Sequence, residues 1–271
     1  MRTAPVTEIF ENLKRFFVFA EPPLALNEYV EFFAESAASE VTAIGSNDLF
    51  ACRMFPSYTP TFFINLTGNY GLQLDQQHFR IAAGQDILLL RDTSVQRFNS
   101  PDDNIFTVKF HPGTLRQLFD IAPAQLNAGP MRLDTFLPPT LLTAIKAAGN
   151  FADRVELMSD YLLKKAYKSS PDFDWQVIDR ALHDQQWQEA QPLIYEMADS
   201  LHVSSKTLTR YFVKELGVSP KKYFSMIRFR KALAAYLHSN HTFHPFDYGY
   251  YDHSHFSRDV FRLTGKRLRQ Q

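Results

Sequence analysis

The spacing of apolar residues divides the chain into two regimes. Between residues 41 and 110 they come in short runs: Val41–Ile44, Leu49–Phe55, Thr61–Leu66, His78–Ile81, Asp86–Leu90 and Ile105–Phe110. Turn-forming stretches such as Gly45-Ser46-Asn47-Asp48, Thr67-Gly68-Asn69 and Ser100-Pro101-Asp102-Asp103 separate these runs. Short strands at that spacing predict an antiparallel sandwich or small barrel. On either side the period lengthens. Residues 22–36 open on Pro22-Pro23 and carry Leu26, Tyr29, Val30 and Phe33 at helical spacing. Residues 137–167 carry Leu141, Leu142 and Ile145, then Val155, Met158 and Leu162, around a break at Gly149-Asn150. Both segments predict helices.

A polar, proline-bearing stretch at residues 168–174 marks an expected boundary. It separates a first domain at 1–170 from a second at 175–271. In the second, alternation is absent and every segment has a period near 3.6. Leu193, Ile194, Met197, Ala198 and Leu201 form one helical face, with Pro192 suited to the first helical position. The chain then turns at His202-Val203, and Ser204 is a natural N-cap for a helix that buries Leu208, Phe212 and Leu216. A small residue near the end of one helix, a short turn and a capped second helix form the helix-turn-helix pattern, here at about 193–216. Ser219-Pro220 opens a long helix with Met226, Ile227, Leu233 and Leu237 inward. A second unit follows at about 245–263, where Asp252 caps a helix that buries Phe256 and Val260.

Charge sharpens this division. The whole chain has 29 basic and 29 acidic residues, but residues 191–271 hold 13 basic and 6 acidic ones, a net of +7. Seven of the nine histidines also lie beyond Trp175, so mild acidification would add positive charge there. A chain split in this way has one end suited to a polyanion. The single cysteine, Cys52, reads as a small hydrophobe and excludes an internal disulfide and a CxxC pair. With no run of 18 apolar residues and no leader pattern, a soluble cytoplasmic protein is expected, with no membrane partner.

The stretch TLTRYFVKELGVSPKKYFSMIRFRKA, followed by GYYDHSHFSRDVFRLTG, resembles the DNA-binding domain of AraC/XylS-type transcriptional regulators over residues 175–265. More weakly, PPLALNEYVEFFAES, FINLTG and TVKFHPGTLRQLF resemble the cupin-like sensor domain of some of these regulators. The resemblance implies a two-domain chain. Its N-terminal part would be α+β, with an antiparallel cupin-like β-barrel at about 41–110 and helices at about 137–167. Its C-terminal part would be an all-α double helix-turn-helix. In the first unit Ser205, Lys206, Thr209 and Arg210 match the family's base-facing positions, and in the second His253, Ser254, Ser257 and Arg258 match them. Such residues sit near the start of a helix that enters the major groove. Lys214, Lys221, Lys222 and Arg262 are assigned to phosphates. Double-stranded DNA is thus the expected partner, joined by RNA polymerase in the case of an activator.

Three departures weaken the second unit. Its opening reads His-Thr-Phe-His-Pro-Phe, and Pro245 disfavours a helix interior, so that helix is expected to start near Pro245. Val260-Phe261 replaces an aromatic-cation pair, which turns Phe261 outward or rotates the helix. The chain ends in KRLRQQ where the family continues with a Thr-Pro segment and a last helix. The first unit is therefore expected to carry most of the readout. In the first domain Phe55, Phe62, Phe63, Phe79 and Phe106 are candidates to line an effector pocket, and the 137–167 helices for a homodimer. No enzyme, cofactor or metal site is expected, since His78 and His111 lie far apart with no HxH.

Overall fold

The computed structural model describes residues 6–7, 17–36, 51–54, 56–98, 102, 104–126, 129–168, 172–184, 187, 193–238, 243–265 and 267–268. The chain forms two compact units, Met1–Met54 with Thr59–Ser170 and Phe55–Tyr58 with Pro171–Gln271.

The first unit contains two apposed sheets. One joins, in spatial order, β1 (Val6–Thr7), β4 (Ala51–Met54), β9 (Val95–Phe98), β6 (Tyr70–Leu74) and β7 (Gln77–Ile81). The other joins β11 (Met131–Arg132), β8 (Ile87–Leu90), β5 (Pro60–Thr67), β10 (Asn104–Phe110), β3 (Val30–Ser36) and β2 (Phe17–Ala20). All pairings are antiparallel except β1 with β4. The unit is thus α+β, and among the described residues no ladder closes its two sheets into one barrel. At the tip of the β6–β7 hairpin Asp75 takes a left-handed conformation, φ 49°, which suits a tight primed turn.

The segment 22–36 departs from the helix expected there. Only Leu24–Leu26 makes a 3-10 turn, and Val30–Ser36 is strand β3. That strand is paired on both sides, by β10 and β2, and buries Val30 and Phe33–Ser36 on both of its faces. Burial on both faces removes the period-2 signature and lets Leu26, Tyr29, Val30 and Phe33 mimic a helical stripe. Strands β6 and β9 also lie where no apolar run marked them.

Helices cover the outer face of the six-stranded sheet: α1 (Thr114–Phe119), α2 (Pro139–Ala147) and α3 (Phe151–Ala166). Phe33, Phe62, Phe106 and Phe110 from the sheet meet Leu115, Ile145, Met158 and Leu162 in one core. Two ion pairs with little exposure pin these helices, Lys146 to Asp86 at 2.7 Å and Arg154 to Glu35 at 3.0 Å. Ile145, Met158 and Leu162 are 0% exposed, so these members of the stripe that motivated a homodimer are spent on the unit's own sheet.

From Pro171 onward the second unit is built of helices among its described residues: α4 (Phe173–His183), α5 (Ile194–Ser200), α6 (Ser205–Leu216), α7 (Pro220–His238) and α8 (His253–Thr264). No helix of the described residues is long and apolar enough to cross a membrane. Pro192 and Phe55 lie outside the described residues, as do most of the run Val41–Phe55 and the last residues of the chain.

Candidate nucleic-acid interface

The first helix-turn-helix forms for local reasons that can be traced residue by residue. Helix α5 buries Met197 and Ala198, and Ala198, at 1% exposure, leaves room for the turn to close behind it. His202 adopts a left-handed conformation, φ 56°, and the amide of Val203 donates to the carbonyl of Ala198 at 2.9 Å. The Ser204 hydroxyl then accepts from the amide of Thr207 at 3.1 Å, which satisfies one of the free donors of the new helix. Helix α6 buries Leu208, Tyr211, Phe212, Glu215 and Leu216. Gly217, φ 74°, ends it as the left-handed cap that glycine serves best. Leu193, assigned to the buried face, is instead half exposed just ahead of α5.

These caps set which way α6 faces. Ser205, Lys206 and Arg210 are exposed and Thr209 is half-buried, so one accessible face near the helix start offers two cations and two hydroxyls. Such a face can hydrogen-bond base edges and pair with phosphates. Lys221 and Lys222, in the first turn of α7, are exposed as well.

Lys214 belongs elsewhere. Its ammonium lies 2.6 Å from Asp174, 3.1 Å from Asp172 and 3.3 Å from Glu215. The hydrogen bond to Asp174 leads the effects that raise its pKa. This lysine joins α6 to the start of α4, where Asp172 caps the helix by accepting from the Trp175 amide at 2.9 Å. Three carboxylates around one ammonium lower its attraction for phosphate, which argues against the phosphate contact expected of Lys214. The same three carboxylates are the described residues whose atoms converge as metal ligands would, and the lysine supplies the cation among them. Sequence spacing gave no sign of this cluster, because its members lie about 40 residues apart.

The second unit is built differently. Its opening helix is reduced to a 3-10 turn, Pro245–Tyr248, with Pro245 in the first turn. Gly249 follows at φ 67°, and an added Cβ would lie 3.3 Å from the Arg228 side chain. Aromatic packing takes over the support of α8: Phe256 meets Phe243 at 4.8 Å, Tyr250 at 5.2 Å and Tyr236 at 5.8 Å between ring centroids. Asp252 caps α8 by accepting from the amide of His255 at 2.6 Å. His253, Ser254 and Arg258 are exposed and Ser257 is half-buried. His255 packs its ring on Tyr250 at 5.1 Å. Phe261 points outward, 50% exposed, so α8 does not rotate to bury it. Arg262 pairs with Asp259 on the surface at 2.8 Å. Sequence reasoning missed a feature beside this helix: Phe246 and Tyr251 are 70% and 80% exposed.

Tyr250 is 1% exposed, and burial, reinforced by Asp259, pushes its pKa up to about 12. The folded unit therefore keeps a proton that the unfolded chain loses near the ordinary value of 10. Stability is unaffected by this group below pH 10 and falls as pH rises from 10 toward 12. Chemical denaturation across that range checks the slope, and Tyr250→Phe is expected to flatten it.

Residues 197–270 match the family model described as a helix-turn-helix domain. No curated protein matches the chain. Among solved structures, ToxT from Vibrio cholerae is similar at 12% identity, covering 93% of this chain and 96% of that one with a TM-score of 0.47. ToxT from Vibrio cholerae O395 bound to (E)-4-(8-methylnaphthalen-1-yl)but-3-enoic acid is similar at 14% identity, covering 80% and 94% with a TM-score of 0.44. A cupin-2 domain containing protein from Shewanella frigidimarina is similar at 15% identity, covering 30% of this chain and 70% of that one with a TM-score of 0.23.

Proposed function

We propose that this chain, whose C-terminal part is an AraC-type helix-turn-helix domain, is a sequence-specific transcription regulator of the cytoplasm that answers to a small-molecule effector. The observation that carries the reading is the capped helix α6, which turns Lys206, Thr209 and Arg210 onto one accessible face. The first unit does most of the reading, since a full helix supports α6 while a single turn precedes α8. The N-terminal unit senses the effector. Its binding shifts the chain toward the DNA-competent arrangement by whatever difference in affinity it has for the two states. RNA polymerase joins as a partner where the output is activation.

Selection from randomised duplexes tests the reading. An enriched site one or two helical turns long is expected. Arg210→Ala should cost about 1–3 kcal/mol and relax specificity at about one position, with a smaller loss for Arg258→Ala. Absence of any enriched sequence would overturn sequence-specific readout. The exposed Phe246, Tyr251 and Phe261 around α8 favour a second reading, in which the second unit meets a partner regulator. Binding of that kind would be nearly independent of salt.

A further inference from the structure

Strand parity gives the six-stranded sheet two unlike faces. On β5, Phe62 and Ile64 point to the helix-side core, while Thr61 and Phe63 face the other sheet. On β10, Phe106, Val108 and Phe110 share the first face, and Thr107 and Lys109 the second. The five phenylalanines expected around one effector therefore do not share a cavity. Phe62 and Phe106 fill the helix-side core, Phe63 and Phe79 belong to the core between the sheets, and Phe55 lies outside the described residues.

In the helical unit a single helix serves both helix-turn-helix motifs. Helix α7 has 19 residues and is therefore about 28 Å long. Near its start Tyr223 and Phe224 meet Phe212 of α6. Near its end Tyr236 meets Phe256 of α8 at 5.8 Å. Helix α6 is also braced by the full helix α5, whereas a single 3-10 turn stands before α8. Apolar packing is non-directional, so the aromatic cluster under α8 holds the helix down without fixing its rotation on α7.

Arg228, midway along α7, reaches the end of that turn. Its guanidinium lies 5.2 Å from the centre of the Tyr250 ring, and a side chain at Gly249 would crowd its stem. Tyr250 is 1% exposed, and its hydroxyl donates to Asp259 of α8 at 3.4 Å. Burial raises the pKa of Tyr250, Asp259 adds to the rise and Arg228 opposes it, so both charged groups act on one phenol. A line of three side chains thus runs from the middle of α7, through the turn, to the second turn of α8. Hydrogen bonds are directional, and a planar guanidinium over an aromatic ring is held more firmly than a flexible ammonium would be.

We propose that Arg228 is a positioning residue which, through Tyr250 and Asp259, locks α8 at one angle on α7 and so sets the half-site spacing that the chain accepts. This role rests on the regulator reading above. Successive base pairs turn by about 34–36° at 10–10.5 per helical turn. Two recognition helices on one stiff body therefore match one separation, and a loosened pair matches several.

The test uses the full chain and the duplex that it enriches from a randomised pool. Beside it stand the same duplex with one base pair inserted between its half-sites, and a duplex holding only the half-site that depends on Arg210. The parent is expected to bind the lengthened duplex at least tenfold more weakly than the enriched one. Arg228→Met, which keeps an apolar stem over Tyr250, should reduce that ratio below threefold and bind the single half-site within twofold of the parent. Partial unfolding weakens all three duplexes alike, so it leaves the ratio unmoved. Tyr250→Phe keeps the ring and cuts the link to Asp259. It should lower the ratio at least twofold, and it decides the matter where Arg228→Met melts early. An unchanged ratio in either folded variant, or a parent indifferent to the extra base pair, would overturn the proposal. Enrichment of a single half-site would also overturn it and leave the regulator reading in place. A pool without any enriched duplex removes the regulator reading and this role with it.

Discussion

Phe212→Ala is expected to cost the C-terminal unit about 3–5 kcal/mol, the range for deleting a fully buried phenylalanine. Phe212 is 0% exposed, and its ring meets Tyr223 at 6.1 Å and Phe224 at 5.9 Å. It therefore joins α6 to the start of α7, and its removal leaves a void that these two rigid rings fill poorly. Urea denaturation followed by tryptophan emission checks the size, since both tryptophans, Trp175 and Trp187, lie in this unit. A loss below about 1 kcal/mol would mean that the aromatic cluster repacks and that α6 is held mainly by its caps and by Lys214, because well-tolerated core changes stay in that range. Val213→Ala, at a half-exposed position on the same helix, is the matched control and should lie within about 0.5 kcal/mol of the parent.

The salt dependence of duplex binding should be shallower than a count of cations suggests. Under the proposed function, the phosphate contacts left to test are Lys221, Lys222 and Arg262, with Lys214 held by its carboxylates. Three contacts give a slope of about −2.7 in log affinity against log salt, hence about a 40-fold loss between 50 and 200 mM. A fourth contact from Lys214 would raise this to about 150-fold. The slope of Lys214→Met should equal the parent's, whatever the variant does to absolute affinity. A slope shallower by about one in that variant would return Lys214 to the DNA.

The helical unit was largely legible because its signals are local. Ser204, Asp252, Gly217 and Pro220 act within one turn of where they stand, and the structure uses each at the helix end it marks. Helix α7 was read less fully. Met226 and Leu233 are buried as the stripe required, but so are Tyr223, Phe224 and Phe229, since a helix shared by two packing partners buries more than one stripe. The β-unit hid more. Strand β3 lost its alternation through burial on both faces. Treating Phe62 and Phe63 as neighbours in one pocket ignored the alternation that sends them to opposite faces. Helix α8 is the middle case. Pro245 announced that its supporting helix would be short, but the aromatic cluster that replaces it depends on Tyr236 and Phe243 meeting Phe256 in space.

The two-faced sheet bears on how such a protein can diversify. Positions that hold the helices, such as Phe62, Phe106 and Phe110, alternate along the same strands with positions that face the other sheet, such as Thr61, Phe63 and Lys109. Substitution at every second residue of β5 and β10 can therefore rewrite the chemistry between the sheets while the helix-side core keeps its contacts. Inheritance of the scaffold and drift of the inter-sheet chemistry are thereby uncoupled, one residue apart on the same strand.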